Sequence, residues 1–218
     1  ELECLGASLA RCGQLQVLDL SSNDFGSSSF RFQSLCAGLS QCYTLQTLGL
    51  SCNNLGRLQF GELECLGASL ARCGQLQVLN LSGNDFGSSS FGFQILCNRL
   101  AQCHSLQMLD LSRNNLSLLG SGGLEILHII LRQCYQLKKL SLKNNELEHF
   151  NDNLFDSHHT DVILIDNITT AADTSTSVNS NFRSIAENIR EGQFFVSDSN
   201  FERARVGKPL KSQSRCSL

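Results

Sequence analysis

Five times along the chain, apolar residues fall into one order. Leu15, Leu18, Leu20, Asn23 and Phe25 are followed by Leu45, Leu48, Leu50, Asn53 and Leu55. The third and fourth copies are Leu76, Leu79, Leu81, Asn84 and Phe86, then Leu106, Leu109, Leu111, Asn114 and Leu116. Leu137, Leu140, Leu142, Asn145 and Leu147 make the fifth. The pattern is L-x-x-L-x-L-x-x-N-x-[LF], and the alternation at its centre predicts a short strand in each copy. Between strands, Phe32, Leu35 and Leu39 have counterparts in Leu63, Leu66 and Leu70, in Phe93, Leu96 and Leu100, and in Leu124, Leu127 and Leu131. Steps of three and four place each set on one helical face. Each unit therefore reads as a helix followed by a strand.

The repetition is more than a pattern of residue classes. Glu1 to Cys36 recurs at Glu62 to Cys97, 61 residues on, with 32 of 36 positions identical. The four differences are Asp19/Asn80, Ser22/Gly83, Arg31/Gly92 and Ser34/Ile95. A fixed period of this kind predicts units stacked in a line, each burying its open face on the next, because one unit alone buries too little to offset its conformational entropy. The asparagines at 23, 53, 84, 114 and 145 are expected inside, their amides satisfying turn backbone groups that water cannot reach.

These residues resemble the leucine-rich repeat, and the long helical segments resemble its ribonuclease-inhibitor-like class. The resemblance covers roughly residues 1–150. It implies an α/β fold, a right-handed solenoid or horseshoe with parallel strands on the concave face and helices on the convex face. The fixed cysteine of each unit, at 12, 42, 73, 103 and 134, steps by 30, 31, 30 and 31 residues. That alternation is similar to the two unit types of ribonuclease inhibitor. Glu1 aligns with Glu62 inside a unit, so the chain is expected to be a piece of a longer one. Residues 151–168 read as a degenerate closing repeat, with Val162, Leu164 and Asn167 at the repeat's spacing. In 169–218, small polar residues suggest a flexible linker, and Phe182, Ile185 and Ile189 one face of a short helix. A basic tail follows, with Arg203, Arg205, Lys208, Lys211 and Arg215 against Glu202.

Composition narrows the function. Charged residues are 17% of the 218, and the net charge of −3 offers no general attraction to nucleic acid or an anionic membrane. No apolar stretch approaches the length of a bilayer span. The 11 cysteines fall mostly at equivalent places in successive units, which predicts buried, reduced thiols rather than a disulfide framework. A reducing, cytoplasmic location is expected from that reading.

Catalytic signatures are weak. His149, Asp152, Asp156, His158, His159 and Asp161 hold metal-binding atoms without a regular spacing and read as a solvated loop. Gly120–Gly123 (GSGG) lacks the third glycine of a dinucleotide-binding turn, since Glu125 stands there. Neither a phosphate-binding G-x-x-x-x-G-K-[ST] nor a G-x-S-x-G nucleophile turn occurs. A non-enzyme without cofactor or metal is expected. The resemblance implies a binding surface on the concave strand columns, where Asp19, Ser22, Asn80, Met108, Asp110, Arg113, Lys139, Ser141 and Lys143 are the candidate protein-binding residues. Arg113, Lys139 and Lys143 should lie close together and favour an acidic partner surface. A monomeric, protein-binding scaffold is the first expectation. The resemblance also allows the sensor tail of a NACHT-type innate immune receptor, or a Ran GTPase-activating-protein-like regulator.

Overall fold

A computed structural model describes residues 2–27, 29–120, 125–127 and 132–147, together with the strands Ile163–Ile165 and Gln193–Phe195. Helix and strand alternate as α1 (Leu2–Leu9), β1 (Val17–Asp19), α2 (Ser29–Leu39), β2 (Thr47–Gly49), α3 (Phe60–Arg72), β3 (Val78–Asn80), α4 (Ser90–Leu100), β4 (Met108–Asp110) and β5 (Lys139–Ser141). Residues 125–127, between β4 and β5, are also helical. All the strands are parallel, and Leu18, Leu48, Leu79, Leu109 and Leu140 stand side by side in one register. This is an α/β solenoid. No helix among the described residues is long and apolar enough to cross a membrane.

Two further strands close the sheet at its ends. Strand β6 (Ile163–Ile165) adds to β5 with Leu164 opposite Leu140. At the other end β7 (Gln193–Phe195) lies along β1, with Phe194 opposite Leu18. The leucine spacing did not announce β7, which falls in the segment read as linker, helix and tail. An edge strand such as β1 presents a row of unpaired backbone groups, and Gln-Phe-Phe suits a pairing strand. The remaining expectations for 169–218, and the polar cluster from His149 to Asp161, lie outside the described residues.

The core is one seam running through the units. Leu48, Leu50, Leu76, Leu79, Leu81, Leu106 and Leu111 are wholly buried from the strand side, and Phe32, Leu35, Leu63, Leu66, Leu70, Phe93 and Leu96 from the helices. Each such side chain stabilises the fold by about 2 kcal/mol. A short 3-10 turn after each strand adds one more apolar residue. In the duplicated units that residue is a phenylalanine packed on the first helical one, Phe25 on Phe32 and Phe86 on Phe93, with ring centres 5.7 and 5.3 Å apart.

The asparagines form a ladder through this seam. Asn53 Oδ1 accepts the Asn23 N–H at 2.8 Å, Asn84 Oδ1 the Asn53 N–H at 2.9 Å, and Asn114 Oδ1 the Asn84 N–H at 2.8 Å. Asn145 Oδ1 accepts the Asn114 N–H at 2.7 Å. Each amide nitrogen donates to a leucine carbonyl in its own unit and to one in the unit before. Asn84 Nδ2 reaches Leu81 O and Leu50 O, both at 2.9 Å, and Asn145 Nδ2 reaches Leu142 O and Leu111 O, also at 2.9 Å.

Glycine sets how closely the coils approach. A Cβ on Gly26, Gly56 or Gly87 would lie 2.0, 2.2 or 1.8 Å from the carbonyl oxygen of Asn54, Asp85 or Asn115. The same glycines donate their N–H to Asn53 O, Asn84 O and Asn114 O at 2.8–2.9 Å. The fourth place in this column is Ser117, whose bond to Asn145 O is longer, 3.1 Å. Between helices, Gly6 and Gly38 meet: a Cβ on Gly38 would stand 2.2 Å from Gly6 O.

The fixed cysteines also carry hydrogen bonds. Cys73 Sγ donates to Leu39 O at 3.4 Å and Cys134 Sγ to Leu100 O at 3.4 Å, while Cys42 Sγ is 3.7 Å from Leu9 O. Leu9, Leu39 and Leu100 are the last residues of α1, α2 and α4. Each thiol therefore serves a helix-end carbonyl of the previous unit that has no intrahelical partner. Burial raises these thiols, to about 12 at Cys42 and Cys103 and about 11 at Cys73 and Cys134, which keeps the donating proton in place. Every described cysteine is free.

Two substitutions test this account. Asn84→Ala leaves the buried Asn53 N–H without its acceptor and deprives Leu50 O and Leu81 O of a donor. It should cost about 3 kcal/mol in urea unfolding, and Asn23→Ala, at the half-buried first rung, should cost less. Ser22 and Gly83 occupy equivalent places in the left-handed region, with φ of 60° and 67°. Ser22→Gly should raise the thermal midpoint, worth about 0.5–1 kcal/mol. Gly83→Ser should lower it, because its Cβ would also meet Cys52 Sγ at 3.0 Å.

Candidate functional site

The strand side of the solenoid presents side chains in columns, because equivalent residues of parallel strands in one register stand beside one another. The first column is Val17, Thr47, Val78, Met108 and Lys139, and the second Asp19, Gly49, Asn80, Asp110 and Ser141. In the second column a carboxylate or amide oxygen folds back on its own strand end. Asp19 Oδ1 accepts the Ser21 N–H at 2.9 Å, Asn80 Oδ1 the Ser82 N–H at 3.0 Å, and Asp110 Oδ1 the Ser112 N–H at 2.9 Å. Asp19 leans over Gly49, where a Cβ would meet its Oδ1 at 2.5 Å.

Burial divides the nine candidate residues. Asn80 (7% exposed), Met108 (8%), Asp110 (2%) and Ser141 (3%) are buried, contrary to their reading as a solvent-facing surface. Short side chains on close parallel strands are covered by their neighbours in adjacent rows, and hydrogen bonds to their own strand ends hold them down. Asp19, Lys139 and Lys143 are half-buried, while Ser22 and Arg113 are exposed. The accessible part of the expected site is therefore its rim and its last rows.

Arg113, Lys139 and Lys143 come together there. The Arg113 N–H donates to Lys143 O at 2.8 Å, and Lys139 opens the strand that leads to Lys143. Among the described residues none of the three forms an ion pair; the pair present is Arg99 with Glu64, at 2.7 Å on the helix side. The nearest acidic group is the buried Asp110. Burial pushes its carboxyl above the usual range, opposed by hydrogen bonds from Ser112 and by the charge of Arg113. Three cations thus share a surface without an acidic side chain paired to them.

Two features escaped the sequence reading. Asp24, Asn54, Asp85, Asn115 and Glu146 follow the ladder asparagines, and all have φ between 49° and 56°. Asn54 donates to Asp24, and Asn115 Nδ2 donates to Asp85 Oδ1 at 2.7 Å. The Asn54 donor, then Ser27, holds the Asp24 carboxyl below its usual range. The signal was legible, since Asp and Asn are the residues that best tolerate a left-handed backbone. On the helix side, Phe60 and Phe91 are exposed and stacked, with ring centres 5.6 Å apart. Exposed Tyr135 stacks on His104 at 5.7 Å. Phe60 and Phe91 lie off the buried face of their helices, which is the only trace they leave in the pattern.

Residues 14–35, 75–98 and 105–127 match the family model described as Leucine Rich Repeat. No curated protein matches the chain. Among solved structures it is similar to the leucine-rich repeat-containing protein LegL7 from Legionella pneumophila, at 25% identity and a TM-score of 0.50. The likeness covers 73% of this chain and 51% of LegL7, so the chain spans about half the length of that protein.

The buried Asp110 gives a prediction for pH. A carboxyl whose folded-state pKa is raised contributes stability that is fully present below its unfolded value, near the model value of 3.8, and is lost as pH rises through the folded value. Asp110→Asn keeps an acceptor for Ser112, as Asn80 does for Ser82, and removes the buried charge. The variant should have a higher urea midpoint than wild type at pH 7, with the difference closing toward pH 3.

Proposed function

Because the chain is a leucine-rich-repeat protein, we propose that it binds another protein, without catalysis, through the accessible end of its strand face. Such repeats are protein-interaction modules in general, and the specific use is inferred from three side chains. Arg113, Lys139 and Lys143 lie on the last rows of the five-unit register, half-buried or exposed, with no acidic side chain paired to them among the described residues. That observation carries the reading. Solvent-exposed cations on a rigid sheet attract an acidic partner segment and orient it, chiefly through faster encounter. Ser22 and Asp19 offer polar contacts farther along the same face.

The alternation of 30 and 31 residues supports the ribonuclease-inhibitor-like class. Within that class the chain is a stand-alone scaffold, or the sensor tail of a longer NACHT-type receptor, and the acidic contact is the same in both. Protonated, buried thiols support a reducing compartment such as the cytoplasm.

Binding of a fluorescent poly-glutamate peptide, followed by anisotropy at low and high salt, tests the reading. Wild type should bind with an affinity that falls as salt rises. The triple variant Arg113→Glu, Lys139→Glu and Lys143→Glu should lose about tenfold or more. Unchanged binding by a folded triple variant would overturn the assignment.

A further inference from the structure

Most buried thiols of this chain have settled partners, since Cys42, Cys73 and Cys134 donate to helix-end carbonyls. Cys36 and Cys65 do not follow that scheme. Cys36 on α2 is wholly buried, Cys65 on α3 is half-buried, and their thiols hydrogen-bond to each other across the seam between the two helices. Cys36 also meets the Ser69 hydroxyl, one helical turn beyond Cys65. That hydroxyl itself donates to Cys65 O at 2.7 Å. The inner sulfur is thus held against α3, and the outer one is open to small molecules.

The electrostatics agree with the geometry. The contact with Cys36 lowers the Cys65 thiol below its usual value, against the opposing effects of partial burial and of Glu62 and Glu64 on the same helix. The same contact, together with burial, holds the proton on Cys36. The 61-residue duplication does not repeat the pair. Cys97 is the counterpart of Cys36, but the place equivalent to Cys65 in the following unit is Ile126, also buried. A wholly apolar residue fills that seam equally well, so packing does not by itself require a second thiol beside Cys36.

We propose that Cys36 and Cys65 form a peroxide-sensitive dithiol, with Cys65 the attacking sulfur and Cys36 the resolving one. The Cys65 thiolate attacks one oxygen of hydrogen peroxide, the O–O bond breaks, and hydroxide leaves and takes up a proton to become water. Cys65 is then a sulfenic acid. The Cys36 sulfur attacks that sulfur, the S–O bond breaks, and a second water leaves with the Cys36 proton. Two thiols have been oxidised to one disulfide and one peroxide reduced to two waters. The bond ties α2 to α3, the two middle helices of the array.

The full chain, treated with equimolar hydrogen peroxide, alkylated and digested with trypsin without reductant, should yield the peptide 58–72 joined to the peptide 32–57. Fragmentation should place the link at Cys36. In Cys36→Ser, or in Cys36→Ala if the serine variant unfolds, the link should vanish and dimedone should label Cys65. Cys65→Ser should give neither product. Oxidation of the exposed Cys4 and Cys52 while Cys65 stays a free thiol, or a link from Cys65 to any cysteine other than Cys36, would overturn the proposal.

Discussion

A buried side-chain amide that is used on both its oxygen and its nitrogen fixes the distance between neighbouring coils. Each ladder asparagine takes a backbone N–H from the unit before and gives its own hydrogens to leucine carbonyls on both sides of the gap. The bonds are all near 2.9 Å, so the spacing has little freedom. Parallel strands about 4.8 Å apart satisfy the same requirement at their own backbone. The sheet and the ladder therefore enforce one spacing, and a unit out of step would leave buried polar groups unpaired at a cost of about 1–3 kcal/mol each.

Given that spacing, other positions lose their choice. Where the 3-10 turns of successive coils cross, the backbones are too near for a Cβ, and glycine stands at 26, 56 and 87. Ser117 stands in the same column beside a longer bond, so the steric demand is relaxed there. Cysteine suits its own column for a related reason. It is small enough for the seam, and its S–H reaches a helix-end carbonyl that no backbone donor serves. A buried thiol in this setting is an apolar side chain with one useful proton.

The same constraint shapes the binding surface. Three-residue strands held this closely cover one another's short side chains, so Asn80, Asp110 and Ser141 are interior groups that brace strand ends. What remains open is the outer rim, with Ser22 and Arg113, and the long lysines of the last rows, whose charged ends extend past the covered stems. Recognition then falls to the part of the sheet where the side chains are longest.

Periodicity alone determined the order of helix and strand, the leucine seam, the inward asparagines and the column of buried cysteines. Those features depend on which way a side chain faces, and facing is written locally in steps of two or of three and four. The side-by-side register of Leu18, Leu48, Leu79, Leu109 and Leu140 followed from the equality of the units. Only the tertiary structure decided which strand-face residues stay accessible, which thiols touch, why glycine is required at 26, 56 and 87, and that Gln193–Phe195 pairs with β1. Each of these depends on the distance between segments from different coils, and that distance is a property of the stacked array rather than of any single unit.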